Sequence, residues 1–211
     1  MSVQPARRWR RRKEARPAEI VEAALEVFAE KGFSAARIDD VAARAGISKG
    51  TLYLYFASKE ELFKAVVRQA LLPNLARVEG LLRAHPGPSA ARIELMIRQI
   101  GALLQGTRIG VIPKLVIAEA GNFPELARFY HQEVIRRGLG LLGAEVERGI
   151  ARGEFRPVDP GHGARLLVAP VLLAAIWKST FEAHAGAALD APAFLAAALD
   201  VLLRGLRADD G

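Results

Sequence analysis

The chain has 211 residues, 51% of them hydrophobic, and a net charge of +7, which allows one or two domains with a substantial core and excludes a wholly disordered chain. There is no cysteine. That excludes disulfides, thiolate metal sites and cysteine nucleophiles, and it fits a reducing cytoplasm.

The charge is unevenly placed. Residues 1–16 hold seven basic residues and one acid, so +6 sits there and +1 is left for the rest. Arg7, Arg8, Arg10, Arg11, Arg12 and Lys13 read as a flexible arm seeking a polyanion; a solubilising tail is the alternative. The arm lacks the apolar stretch of a secretory signal. Pro17 suits the first turn of the first ordered helix, and Ile20, Val21, Ala24, Leu25 and Phe28 recur on one face of it. Gly32 closes that helix, with Phe33 as the apolar contact beyond it. A second helix is predicted over about Arg37 to Ala45, with Ile38, Val41 and Ala42 inward. Gly46 can take the positive φ of a tight turn, and Ser48 can cap a third, short helix. Leu52 and Phe56 share one face of it and can anchor it. Ser58-Lys59-Glu60-Glu61 is a capping box that opens helix four. A helix as short as the third is marginal alone and makes sense as an element held by its neighbours and presented. Three helices so joined make a helix-turn-helix bundle.

The run Gly32-Phe33, Ile38-Asp39-Asp40-Val41-Ala42, Ala45-Gly46-Ile47-Ser48-Lys49-Gly50-Thr51-Leu52-Tyr53-Leu54-Tyr55-Phe56 and Ser58-Lys59-Glu60-Glu61-Leu62 resembles the DNA-binding domain of the TetR family of bacterial transcriptional regulators, over about residues 17–67. Where the family often caps its second helix with threonine or serine, this chain has Ala35-Ala36. Either Ser34 caps one turn early or Arg37 makes the backbone contact there. The resemblance implies DNA contacts from Arg37, Ser48, Lys49, Thr51, Tyr53, Tyr55 and Lys59. Lys49 can reach either a guanine or a phosphate, and Gly50 lets the backbone approach closely. Thr51 offers a hydroxyl, and a methyl for thymine. Tyr53 is either a groove contact or core. Lys59 and the free N–H groups of helix four can hold a phosphate.

Beyond Lys59 the apolar spacing runs through Leu62, Phe63, Val66, Val67 and Leu71, and Pro73 is expected to kink or break the helix. His85-Pro86-Gly87-Pro88 is a loop. Helices follow at about Ser89–Gln105 and Lys114–Ala120, with an irregular stretch at 107–112 and a stop at Gly121-Asn122. A long helix from Phe123-Pro124 to about Arg152, an apolar helix from about His162 to Ala185 interrupted by Pro170, and a last helix from Ala191-Pro192 complete an all-helical chain of about nine helices. The longest apolar run, Leu166 to Trp177, is shorter than the roughly 20 residues of a membrane span. Ile112 to Ala120 with Phe123-Pro124-Glu125-Leu126 is similar to the C-terminal domain of AefR-like regulators within the same family.

The expected organisation is an all-α chain: arm 1–16, helix-turn-helix domain 17–58, and a helical ligand-binding and dimerisation domain 59–211, with helix four as the link. The resemblance implies a homodimer through the last two helices, a palindromic double-stranded operator, and a small-molecule effector, apolar or aromatic, that releases a repressor. Met96, Ile100, Phe123, Phe129, Tyr130, Trp177 and Phe181 are the pocket candidates. No nucleophile–base pair, phosphate loop or metal spacing is visible, so no catalytic residue, metal or cofactor is expected, and neither is a membrane partner. The alternative function is a non-specific DNA-organising protein driven by the arm.

Overall fold

The computed structural model describes the backbone of residues 6–208 and the side chains of residues 17–208. The side chains of Arg7, Arg8, Arg10, Arg11, Arg12 and Lys13 therefore lie outside the described residues. The chain divides into two compact units, residues 1–69 and 70–211.

The first unit contains α1 (Ala6–Lys31), α2 (Ile38–Arg44), α3 (Lys49–Tyr53) and the start of α4 (Lys59–Ala84). The first helix does not begin at Pro17, as the sequence suggested. Helical backbone starts at Ala6 and carries Pro17 inside it, because the arginine-, lysine- and alanine-rich stretch before the proline is made of good helix formers. Gly32 ends α1 at φ +79° and Gly46 makes the turn after α2 at φ +66°, a region that costs a residue with a Cβ. Gly32 donates its N–H to the Phe28 carbonyl at 2.9 Å. Phe28, Phe33 and Phe63 then meet in a three-ring core with centroids 5.3–5.7 Å apart, in tilted and edge-on arrangements that aromatic pairs favour. Leu52 is fully buried and pins α3, which is too short to stand alone.

The second unit contains the rest of α4, then α5 (Ser89–Gly106), a 3₁₀ turn (Arg108–Val111), α6 (Ile112–Glu119), α7 (Pro124–Tyr130), α8 (Arg136–Ala151), α9 (Pro160–Thr180), a second 3₁₀ turn (Glu182–His184) and α10 (Ala191–Leu206). A π turn, His131–Ile135, joins α7 to α8; with these three taken as one run, the described residues form nine helices. The core draws Ile93, Met96 and Ile97 from α5, Leu142 and Val146 from α8, Leu167 and Val171 from α9, and Leu195 and Leu199 from α10. Pro73 and Pro170 were expected to interrupt their helices, yet both lie within continuous helices. The carbonyls four residues back, which a proline leaves without a donor, belong to Gln69 and Leu166, both exposed, where water can take the bond. Beside Pro73, Asn74 Nδ2 donates to the Ala70 carbonyl at 2.8 Å. By starting at Pro160, α9 reaches the length and hydropathy of a membrane-crossing helix. Gly163, Ala164, Leu167, Val171, Ala174 and Ala175 on it are nevertheless buried within the unit.

Candidate nucleic-acid interface and ligand cavity

The presented element is α3. Ser48 stands before it in extended conformation and its Oγ accepts the Thr51 N–H at 3.1 Å. The same Oγ lies 2.9 Å from the Thr51 hydroxyl, so Ser48 and Thr51 hold one another in place. Around Gly50 the only atom that an added Cβ would approach within 4 Å is Ser48 Oγ, at 3.9 Å, so this backbone is open to close approach from outside. Lys49 and Tyr53 are exposed, Tyr55 is half-buried, and Leu54 is 83% exposed. Tyr53 is thus a surface residue rather than core. Leu54 was not singled out from the sequence, because alternation within so short a helix does not say which apolar residue turns outward.

The cations of this unit are mostly engaged. Lys49 Nζ sits 3.1 Å from Asp39 Oδ2. Arg44 spans Glu26 and Glu30, and Lys31 pairs with Asp40. Lys59, expected at a phosphate, instead donates to three carbonyls, Phe33 at 2.8 Å, Ser34 at 3.1 Å and Ala36 at 3.1 Å. It also lies 4.6 Å from the Phe33 ring centre. An ammonium has three donors and no more, so its binding capacity is turned inward. Ser58, by contrast, caps α4 as expected, accepting the Glu61 N–H at 3.2 Å.

The start of α2 resolves the open question about its cap. Ser34 does not cap it; its carbonyl takes Lys59. Arg37 is the cap residue, and its N–H is satisfied by Asp40 Oδ2 at 3.1 Å. This is the returning half of a capping box, supplied by an aspartate. The Lys31 ammonium, and then the Arg37 N–H, hold the Asp40 carboxyl below the ordinary carboxylate range. Arg37's guanidinium is exposed and in no ion pair, although its charge also acts on Asp40.

The second unit contains a cavity of about 570 Å³, within the roughly 300–1,000 Å³ of small-molecule sites. Its walls are Leu71, Leu75 and Val78 of α4, Ile100, Leu103 and Leu104 of α5, Val116 of α6, Tyr130 of α7, Leu139 and Leu142 of α8, and Val168 and Leu172 of α9. Of the pocket candidates, Ile100 and Tyr130 line it and the other five do not. Met96 and Phe129 are buried in the core, and Phe123 is the cap of α7. Trp177 and Phe181 pack on one another with centroids 5.5 Å apart. Apart from Tyr130, aromatic bulk went to core and surface, and the cavity is walled mostly by aliphatic side chains. The polar side chains among the lining are Asn74, Arg77, Gln99, Tyr130 and Arg165, with no carboxylate. No cluster of His, Cys, Asp or Glu that could hold a metal occurs among the described residues.

Comparison with known proteins agrees with both halves. Residues 20–66 match the family described as bacterial regulatory proteins, tetR family, and residues 86–191 match the tetracyclin repressor-like C-terminal domain. The chain is 29% identical over 156 residues to the HTH-type transcriptional regulator YfiR of Bacillus subtilis (strain 168), covering 70% of this chain and 72% of that protein. It is 26% identical over 139 residues to the fatty acid metabolism regulator protein of the same organism, covering 65% and 70%. Among solved structures, the transcriptional regulator FadR from Bacillus subtilis in complex with stearoyl-CoA superimposes with a TM-score of 0.78 at 22% identity, over 90% of this chain and 99% of that one. With the C-terminal match spanning half of the sequence and the head carrying its own, the chain belongs to the TetR family of bacterial transcriptional regulators, which are DNA-binding regulators and not enzymes.

Proposed function

We propose that the protein is a cytoplasmic repressor that binds a palindromic operator as a homodimer and leaves it when a long-chain acyl compound fills the cavity of the second unit. The observation that carries this reading is the aliphatic cavity walled in part by Leu71, Leu75 and Val78 of α4, the helix whose first turn carries Ser58's cap and Lys59 in the head. A ligand there touches an element of the reading head's own scaffold. It shifts the equilibrium only to the extent that it prefers the state whose heads do not fit the operator. The acyl class is supported by the apolar walls and by the FadR–stearoyl-CoA likeness; it refines the apolar-or-aromatic expectation.

DNA reading is assigned to α3. Lys49, Gly50, Thr51 and Tyr53 contact base edges or the groove wall, Ser48 positions Thr51, and Tyr55 and Arg37 contact phosphates. The arm residues Arg7, Arg8, Arg10, Arg11, Arg12 and Lys13 supply backbone attraction. Dimerisation is assigned to α9 and α10, which expose Leu166 and Leu173 on the one, with Phe181 just past its end, and Val201 on the other; such faces are uncommon on a lone monomer.

The test is selection of a binding site from random duplexes, followed by titration of the complex with stearoyl-CoA. A repressor of this kind selects a palindrome, prefers it by roughly 10³-fold or more over random duplex, and is released by stearoyl-CoA. Equal binding to every duplex would instead make it a non-specific DNA-organising protein.

A further inference from the structure

Tyr130 is the only buried residue among the five polar ones lining the cavity: Arg77 and Arg165 are exposed, and Asn74 and Gln99 are half-buried. It is 8% exposed, and no described residue accepts from or donates to its hydroxyl. Gln105 Nε2 and Thr180 Oγ1 are the sealed side-chain polar atoms without a partner among the described residues; the Tyr130 hydroxyl is not one of them, so it opens onto the cavity that the residue lines and is free to bond what enters. Phenylalanine would fill the same wall but offer no donor there. Burial also pushes the phenol well above its ordinary range, so the group remains a donor at any physiological pH.

The surroundings point the same way. Tyr130 ends α7, and the π turn that follows contributes Val134 and Ile135 to the cavity wall; such turns recur at functional sites. Apart from Asn74, Gln99 and two arginines, the rest of the wall is apolar and offers an acyl chain nothing to orient it. The two arginines and the absence of any carboxylate among the lining residues give the cavity an edge suited to an anionic group.

We propose that the Tyr130 hydroxyl donates a hydrogen bond to the carbonyl oxygen of the bound acyl group, fixing the chain's head in the cavity while the anionic remainder lies toward Arg77 and Arg165. This rests on the acyl reading of the effector and adds the atom that the protein recognises. Tyr130 is then a specificity residue: it separates acyl compounds from hydrocarbons of equal length.

The experiment pairs two ligands with two proteins. Stearoyl-CoA and S-octadecyl-CoA share chain and head group, but the second has a thioether in place of the thioester and so lacks the carbonyl. Full-length wild type and Y130F are titrated with each, and each protein is melted without ligand. The expected result is that wild type binds stearoyl-CoA roughly tenfold more tightly than the thioether, the worth of one buried hydrogen bond, that Y130F binds the two equally, and that Y130F without ligand melts no lower than wild type. Three results would overturn the assignment while leaving the acyl reading intact: wild type binding both ligands equally, Y130F keeping the preference, or ligand-free Y130F melting well below wild type, which would mean that the hydroxyl serves the fold. If wild type binds neither ligand, the acyl reading itself is overturned and the assignment with it.

Discussion

Lys59 ties the head together from inside. Its three bonds close the turn after α1 onto the first turn of α4, and the carbonyls that it holds are 23 to 26 residues away in sequence. No local pattern could show that, which is why a lysine beside a helix N-terminus reads from sequence as a phosphate ligand. The K59M variant is expected to lose about 2–4 kcal/mol of stability in the head, since hydrogen bonds from charged groups contribute more than neutral ones, and to lose operator affinity in the same proportion. A variant that keeps its melting temperature but loses DNA would return Lys59 to the interface. Ser48 is the opposite case. Its role as cap was legible because the cap and the N–H that it serves are three residues apart, within the reach of a sequence motif. Replacing it by alanine should cost about 1 kcal/mol by denaturant unfolding and weaken operator binding further, because Thr51 loses its hydroxyl partner. Asp40 lies between these extremes: an acid three residues into a helix is a local signal, but the usual capping box pairs it with a threonine or serine that this chain lacks.

At the scale of elements, the punctuation was the legible part. The loop at His85-Pro86-Gly87-Pro88, the stop at Gly121-Asn122 and the start at Ala191-Pro192 all fall where glycine and proline placed them. Prolines inside helices misled: at Pro73 and Pro170 the carbonyl four residues back is on an exposed residue, where water can take the bond that the missing amide leaves open. The cavity was hard to foresee for another reason: Leu, Ile and Val at helical spacing line a void and fill a core with the same periodicity. How α4, α5 and α8 are tied together was equally hidden. Arg92 on α5 meets Glu145 on α8 in a two-point ion pair at 2.7 and 2.8 Å, and the same guanidinium takes the carbonyls of Leu82 and, at 2.6 Å, His85 at the end of α4. Arg148 adds bonds to Ser89 Oγ and to the Gly87 carbonyl. The Arg92 and Glu145 side chains are 14% and 8% exposed, so removing one partner strands a buried charge. E145A should therefore destabilise the second unit by about 3–5 kcal/mol. The double variant R92M/E145M should recover most of that loss if the pair itself is close to neutral for stability. Calorimetry of the two variants beside the wild type separates the two costs.

For the whole molecule, the partition of charge decides how it holds DNA. Residues 17–69 carry seven basic and eight acidic residues, a net −1. Among the described residues of that stretch, Lys31, Arg44, Lys49 and Lys64 are in ion pairs, Lys59 serves carbonyls, and Arg68 is also partnered. Arg37 is in no ion pair, although its charge acts on Asp40. A duplex is a dense polyanion, and a head of this charge has little to offer it beyond base contacts. On the proposed reading the long-range attraction falls to residues 1–16, with their +6, and α1 carries helical backbone from Ala6 into the head without a break. The consequence is measurable as a salt dependence. Each phosphate neutralised by a lysine or arginine contributes about 0.9 to the slope of log affinity against log salt. Deleting residues 1–13 removes six basic residues, so the slope should flatten by as much as about 5. The described core of the head begins at Ile20, so the truncated chain should melt as the full one does. Specificity should respond differently from affinity. Because the arm's attraction goes to backbone phosphates and is blind to sequence, its loss should weaken operator and random duplex alike and leave their ratio nearly unchanged. If the slope stays as it was, the arm does not lie on DNA. A ratio that collapses with the slope would mean instead that the arm reads bases, as an insertion into the minor groove would.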